Sequence, residues 1–319
     1  MKRSLIFIIL IALMSCKSTQ NAPSADEIDI ANFSNATIIG AHMNFLASDA
    51  LKGRDTGSEG IDRAASYLIK NLEANKIGSY YNAYQDSLSN YQTPAYNIVG
   101  VLQGNDPSLK NEVVLVGAHY DHIGILSAQN GDSIANGAND NATGTATVLE
   151  LARYFAKANV NKRTMIFAFF SAEEKGLKGS AHLAKKMKAE GVDLYAALNF
   201  EMTGVPMTDK DYLVYATGFN MSNVAAVSNE YAGEKIVGFL PTAEGYNLFK
   251  RSDNYPFYEV FKIPAHTFST FDFTNFDHYH KVGDEATIMD FTHMAQVVNK
   301  MIPVVQGITN AEIKEIVLN

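Results

Sequence analysis

The chain contains a single cysteine, Cys16. No disulfide can form within it, and a thiolate cluster cannot be its metal site, so its stability must come from an apolar core. Positive charge is also scarce. The net charge is -8, and the one lysine-rich run, K-K-M-K at 185–188, reads as a solvated helix face. That balance excludes nucleic acid as a partner, because phosphate contacts need a basic surface. The apolar run at 5–14 is too short to span a bilayer. No internal repeat is present, which excludes a solenoid. What remains is a globular composition, 47% hydrophobic and 19% charged over 319 residues, enough for one large α/β domain or two smaller ones.

The N-terminus reads as separate from the fold. Met1, Lys2 and Arg3 precede the apolar run, which has the length of a signal-peptide core and ends L-M-S-C at residues 13–16. This resembles the bacterial lipobox, in which the cysteine becomes the lipidated first residue. The expected organisation is a lipoprotein signal peptide at 1–15, a lipid anchor and polar tether at 16–35, and a single folded domain at 36–319. A lipid on Cys16 would attach the protein to a membrane of the cell envelope.

Within that domain, helical spacing marks 38–46 and 61–75, separated by the long turn S-D-A-L-K-G-R-D-T-G-S-E-G. Segments 97–103 and 112–117 are rich in β-branched residues and flank a G-N-D-P turn, so they read as a hairpin. A helix is expected at 145–158. The continuous apolar run T-M-I-F-A-F-F at 164–170 reads as a central strand covered on both faces. Helix 180–190 and strand 196–200 follow, then short strands at 213–216 and 264–269 and a final helix at 292–306. Segment 233–258 reads as a helix plus loops. Alternating strands and helices imply an α/β fold with a largely parallel sheet.

Three strands end in polar groups: His119 to His122, Glu173-Glu174, and Glu201. An Asn/Gly-rich turn adds Asp140, and a late loop adds His280. Ligands of open α/β sheets sit at the carboxyl ends of the strands, so these groups should converge. His119, Asp140, Glu173, Glu174, Glu201 and His280 form a nitrogen/oxygen donor set suited to zinc or a similar divalent ion. Adjacent buried carboxylates such as Glu173 and Glu174 repel unless a cation or proton intervenes. The H-x-D spacing of His119 and Asp121 suggests a metal-binding imidazole with a carboxylate partner. His278 competes with His280, and the Y-H-K context favours His280. His122 reads as an outer partner or as exposed. Phe271, Phe273 and Phe276 either line a pocket or bury their own loop, and Met202 is a candidate pocket wall.

The ordered motifs G-A-H-Y-D-H-I-G, G-A-N-D-N-A-T-G, S-A-E-E-K-G-L-K-G-S, L-N-F-E-M-T-G, R-S-D-N-Y-P-F and Y-H-K-V-G-D resemble the co-catalytic zinc aminopeptidase family. That family also contains glutamate carboxypeptidases and glutaminyl cyclases. The upstream stretches L-A-S-D-A-L-K-G-R-D-T-G-S-E-G and Y-N-I-V-G resemble it too. The resemblance implies a three-layer αβα sandwich around a mixed, mostly parallel sheet, with 36–319 as a single zinc-peptidase domain. It implies two zinc ions, with Asp140 shared, His119 and Glu201 on one, and Glu174 and His280 on the other. It further implies that Asp121 orients His119, that Glu173 is the general base, and that a metal-bridging hydroxide is the nucleophile. A cis peptide between Asp140 and Asn141 belongs to the same pattern. Glu201 stands where relatives often carry Asp, and Asn254 where S-D-H is common, which leaves Asp253 without a firm role. The implied activity is removal of N-terminal residues from peptides outside the cytoplasm, with no obligate protein partner. A glutaminyl cyclase, a carboxypeptidase, or a non-catalytic lipid-anchored binding protein are the alternatives. Cobalt or manganese could replace zinc.

Overall fold

The computed structural model describes residues 28–319. Cys16 and the expected signal segment lie outside the described residues. The strands are β1 (Gly78–Ser79), β2 (Gln85–Ser87), β3 (Tyr96–Leu102), β4 (Glu112–His119), β5 (Gly124–Gln129), β6 (Asp132–Ala135), β7 (Thr164–Phe170), β8 (Asp193–Phe200), β9 (Val214–Ala216), β10 (Val237–Gly238) and β11 (Ala265–Ser269). The helices are α1 (Ala36–Leu46), α2 (Glu59–Ala74), α3 (Thr143–Ala158), α4 (Lys178–Ala189), α5 (Val224–Ala232), α6 (Pro241–Gly245), α7 (Asn254–Phe261) and α8 (Phe291–Asn310). Nine of the strands form one sheet in the order β1-β3-β7-β4-β8-β11-β9-β10, with β2 also pairing β3.

The alternation of side chains along β7 explains its position. Met165, Phe167 and Phe169 enter the core on one face of the sheet, and Ile166, Ala168 and Phe170 enter the core on the other. A strand with no polar face is stable only at the centre of a covered sheet. Helices α1, α2, α3, α5 and α8 pack together on the first face, while α4 and α7 cover the second. The result is the α/β sandwich expected from the motifs, with β4, β7, β8 and β11 parallel, β3 antiparallel to β7, and β9 antiparallel to β11 but parallel to β10.

Two expectations need correcting. Strands β3 and β4 are not a hairpin, because β7 lies between them, antiparallel to β3 and parallel to β4. The turn at 104–110 is real, with Asp106 accepting from the Ser108 and Leu109 amides. It connects two strands that are next-but-one neighbours. Packing also begins before residue 36. Phe33 sits edge-on to Tyr154 under the Arg153 guanidinium, and the Asn299 side chain donates to the Ser34 and Ala31 carbonyls and accepts from the Ser34 amide. Residues 30–35, expected in the tether, therefore belong to the folded unit.

The connection from β4 through α3 to β7 runs over one face, and that from β7 through α4 to β8 runs over the other. β7 and β8 flank β4 on opposite sides. The carboxyl end of β4 is thus the switch point of the sheet, where such folds open a crevice. His119 is its last residue.

Candidate active site

The three parallel strands deliver their ends side by side. His119 closes β4, the loop after β7 carries Glu173 and Glu174, and Glu201 follows β8 directly. Asp140 comes from an irregular turn just before α3, and the Asp140–Asn141 peptide is cis. That turn is braced to the β8 loop by its two asparagines. Asn141 Oδ1 accepts from the Met202 and Gly144 amides, Asn141 Nδ2 donates to the Phe200 carbonyl, and Asn139 Oδ1 accepts from the Gly204 amide. On its other side Asp284 accepts from the Asn139 and Asp140 amides. The N-D-N triplet thus has a local reason: the aspartate points into the crevice while its neighbours tie down the backbone.

Asp140 divides its two oxygens. Oδ1 lies 3.3 Å from His119 Nε2, and Oδ2 lies 3.2 Å from His280 Nε2. His280 Nε2 is also 3.1 Å from Glu174 Oε2. Stacking on Tyr279 fixes the His280 ring, with centroids 4.0 Å apart. His278, the other candidate, is exposed. Glu201 Oε2 accepts from the Ser252 hydroxyl, which itself accepts from Asn199 Nδ2 at 2.8 Å.

Asp121 does more than accompany His119. Its carboxylate accepts from the Glu173 amide at 3.1 Å, the Glu174 amide at 3.3 Å and the Thr56 hydroxyl at 3.1 Å. Its Oδ1 stands 3.8 Å from His119 Nδ1, whereas its backbone carbonyl is closer, at 3.2 Å. Asp121 therefore joins the β4 end to the Glu173–Glu174 loop, and both its backbone and its side chain face the imidazole.

His122 is neither exposed nor remote. It is fully buried, with Nδ1 2.9 Å from Glu174 Oε1 and 3.8 Å from Asp140 Oδ2. His122, Asp140 and Glu174 present ligand atoms within 4.8 Å of one another. The second His of H-Y-D-H was the available signal. Its position three residues after His119, beyond the strand end, gave no reason to expect that it would turn inward.

The electrostatics separate the carboxylates into two kinds. Burial pushes the Glu173 carboxyl well above its usual range; the opposing His119 charge is outweighed by Glu201, Asp253 and Glu174 acting with that burial. Glu201 and Asp253 are likewise pushed up to about 7, mainly by burial, with His119 opposing and neighbouring carboxylates adding to the rise. For Asp140 the balance reverses. Burial raises it, but hydrogen bonds from His119 and His280 hold it well below the ordinary value. His280 is raised to about 10, as those to Asp140 and Glu174 overcome its burial.

This buried excess of carboxylate tests whether a divalent cation fits. His122 Nε2 and both oxygens of Asp253 lack hydrogen-bond partners although they are buried. Such orphaned atoms are costly unless a cation or water satisfies them. The donors are imidazole nitrogens and carboxylate oxygens at the distances from one another that a shared ion requires. The residues fit zinc.

Beside Glu201 a pocket opens between Met202, Leu248, Phe271, Phe273 and Tyr279, with Arg251 also on its wall. Phe271 and Phe273 line it, as does Met202. Phe276 does not, and packs edge-on against Phe271 instead.

The sequence profile of peptidase family M28 matches residues 97–305. A probable leucine aminopeptidase of Arthroderma otae is 28% identical over 251 residues, covering 76% of this chain and 63% of that protein. The chain thus spans less than two thirds of this curated relative's length. Among solved structures, a zinc aminopeptidase from Bacillus subtilis superposes with a TM-score of 0.69 at 16% identity, covering 87% of this chain and 96% of that one. The glutaminyl cyclase of Porphyromonas gingivalis does so with a TM-score of 0.64 at 18% identity, covering 87% and 99%. At these identities the structural likeness establishes the fold. With the profile covering more than half of its length, this chain belongs to peptidase family M28.

Proposed function

We propose that the chain is a zinc-dependent aminopeptidase that holds two zinc ions and removes N-terminal residues from peptides outside the cytoplasm. The observation that carries the reading is the division of Asp140, one oxygen toward His119 and the other toward His280. That arrangement suits a carboxylate shared by two ions. His119 and Glu201 would complete one site, and Glu174, His280 and the buried His122 stand at the other. Bound zinc would supply Lewis acidity, making water nucleophilic at neutral pH and polarising the scissile carbonyl.

The chain's own residues account for the remaining steps. Glu173, half-buried beside His119, has an environment that favours its protonated form, so it readily accepts a proton from the attacking water. The same carboxyl then returns that proton to the departing amine. Asp121 fixes the Glu173 and Glu174 amides and so sets where the base stands. The carboxylates around Glu201 favour a substrate bearing a free ammonium group. Apolar walls at Met202, Leu248, Phe271 and Phe273 suit an apolar first side chain, in line with the leucine aminopeptidase similarity. The L-M-S-C motif at 13–16 supports attachment to the cell envelope through a lipid on Cys16.

Mass spectrometry of a peptide mixture, half with free and half with acetylated N-termini, tests the activity. Stepwise shortening of the free peptides alone is expected. Loss of ammonia from N-terminal glutamine would instead indicate a cyclase, and shortening from the C-terminus a carboxypeptidase.

A further inference from the structure

The turn between α1 and α2 lies outside the segment matched by the family profile, yet it reaches the centre of the site. Lys52, Gly53 and Arg54 are three consecutive residues in the left-handed region, with φ of 48°, 68° and 48°. Such a run is unfavourable for the two that carry side chains and needs support from its surroundings. Here it directs Arg54 inward, where only 1% of the residue is exposed.

The Arg54 guanidinium donates to four main-chain carbonyls. Nε donates to Tyr120 at 2.8 Å, Nη1 to Asn136 at 2.6 Å and to Leu46, and Nη2 to Gly137 at 2.8 Å. Tyr120 follows His119 directly, while Asn136 and Gly137 begin the turn that carries Asp140. One side chain thus joins the strand end bearing His119 to the turn bearing Asp140. Two residues on, the Thr56 hydroxyl donates to Asp121 Oδ2 at 3.1 Å. The Arg54 carbonyl in turn accepts from the His122 amide at 3.2 Å. A β-carbon on Gly53 would stand 2.3 Å from the Ala135 carbonyl oxygen, so the turn is seated directly on that neighbouring segment.

We infer that the 52–56 turn is a clamp for the metal centre: Arg54 fixes the separation of the His119 and Asp140 segments, and Thr56 fixes the orientation of Asp121. Both are positioning residues, since neither touches a ligand atom directly. Arginine suits the role because its planar fork can serve several carbonyls at once, while its charge sits among Asp284, Asp121, Asp140 and Glu174 without being able to act as a ligand itself. The inference rests on the zinc-centre reading above.

Cobalt(II) binding to the full chain tests it, followed by visible absorption, which reports ligand geometry, and by competition with a chelator. Thr56→Val keeps the shape and removes one hydrogen bond. It should weaken cobalt affinity severalfold, less than the roughly tenfold to hundredfold that follows loss of a ligand's own outer partner, because Asp121 stays in place. The visible bands should change, which a merely structural loss would not cause, while the melting temperature of the metal-free protein should fall only by the few degrees that one buried hydrogen bond is worth. Thr56→Ser should restore affinity and spectrum. Arg54→Lys retains the charge but offers one nitrogen to four carbonyls, and should weaken binding further; wild-type affinity and spectrum in a folded Arg54→Lys would overturn the role given to Arg54, and Thr56→Val separately decides the role given to Thr56. Wild-type affinity and spectrum in Thr56→Val would overturn the inference. So would weakened binding that Thr56→Ser does not restore. A wild-type protein that binds cobalt but leaves peptides uncut would refute the peptidase reading, and the affinity comparison would still judge the clamp.

Discussion

Glu173 and Asp140 are both carboxylates in one crevice, and their surroundings drive them apart. Asp140 is held ionised by two imidazoles, as a metal ligand must be, while burial makes Glu173 a strong proton acceptor. Glu173→Gln removes the proton acceptor and leaves Asp140, Glu174 and the histidines in place. It should retain zinc, measured by elemental analysis, and lose about 10² to 10⁴ in kcat; wild-type turnover would end the assignment. Away from the site, His266 is buried between the Ser222 hydroxyl, 2.7 Å away, and the Thr217 carbonyl, 2.8 Å away. Burial lowers its pKa from 6.5 to about 4. A depressed folded-state value means that its stabilising contribution is complete above pH 6.5 and is lost as pH falls through 4, because the unfolded chain binds the proton first. The stake is about 3 kcal/mol. Urea titrations at pH 7.5 and 4.5 should show His266→Gln losing less stability on acidification than the wild type. The metal-ligand candidates were legible because their residue types and strand-end positions carry chemistry. His122, Arg54 and Thr56 were not, since an arginine in a glycine-containing turn reads as solvated until its four carbonyl partners are seen.

At the level of elements, legibility followed how local the signal was. The apolar run of β7 specified a strand covered on both faces, and the structure supplies a core for each. The pairing of β3 with β4 could not be read the same way. A turn signal between two strands shows that the chain reverses, but not that another strand from some 50 residues later will insert between them. Segment 233–258 was obscure for a related reason: α6 and β10 are too short to show a period, and β10 gains its identity only by pairing with β9. Closeness between elements also carries the site. Helix α3 begins so near to β8 that a β-carbon on Gly144 would lie 2.2 Å from the Phe200 carbonyl oxygen. Gly144→Ala must push α3 away from the strand, and the Asn141 brace with it. A loss of about 1–3 kcal/mol in chemical unfolding is expected, together with reduced zinc content. A variant of full stability and full zinc content would show that this approach is not needed.

For the whole molecule, the concentration of buried carboxylates at one end of the sheet couples metal to stability. Ions that bind the folded chain at 100 times their Kd add about 2.7 kcal/mol per site. Dialysis against a chelator should lower the melting temperature, readdition of zinc should restore it, and an unchanged value would mean that the orphaned ligand atoms are satisfied by water or protons instead. None of the described helices is long and apolar enough to cross a membrane. The proposed membrane attachment is the lipid on Cys16, and its reach can be bounded. Ile28, the first described residue, already packs against the core, and 11 residues lie between it and Cys16 (17 to 27). A chain of that length reaches at most about 40 Å. A lipid on Cys16 would therefore hold the start of the folded unit within that reach of the bilayer. One acyl chain anchors only weakly and two or more hold firmly, so the number attached sets whether the protein stays on the membrane. Expressed in a bacterial host, the wild-type chain should take up labelled palmitate and pellet with membranes. Cys16→Ser should do neither while retaining its peptidase activity in the soluble fraction. Membrane association that survives Cys16→Ser would refute the lipid anchor and place the attachment in some other part of the chain.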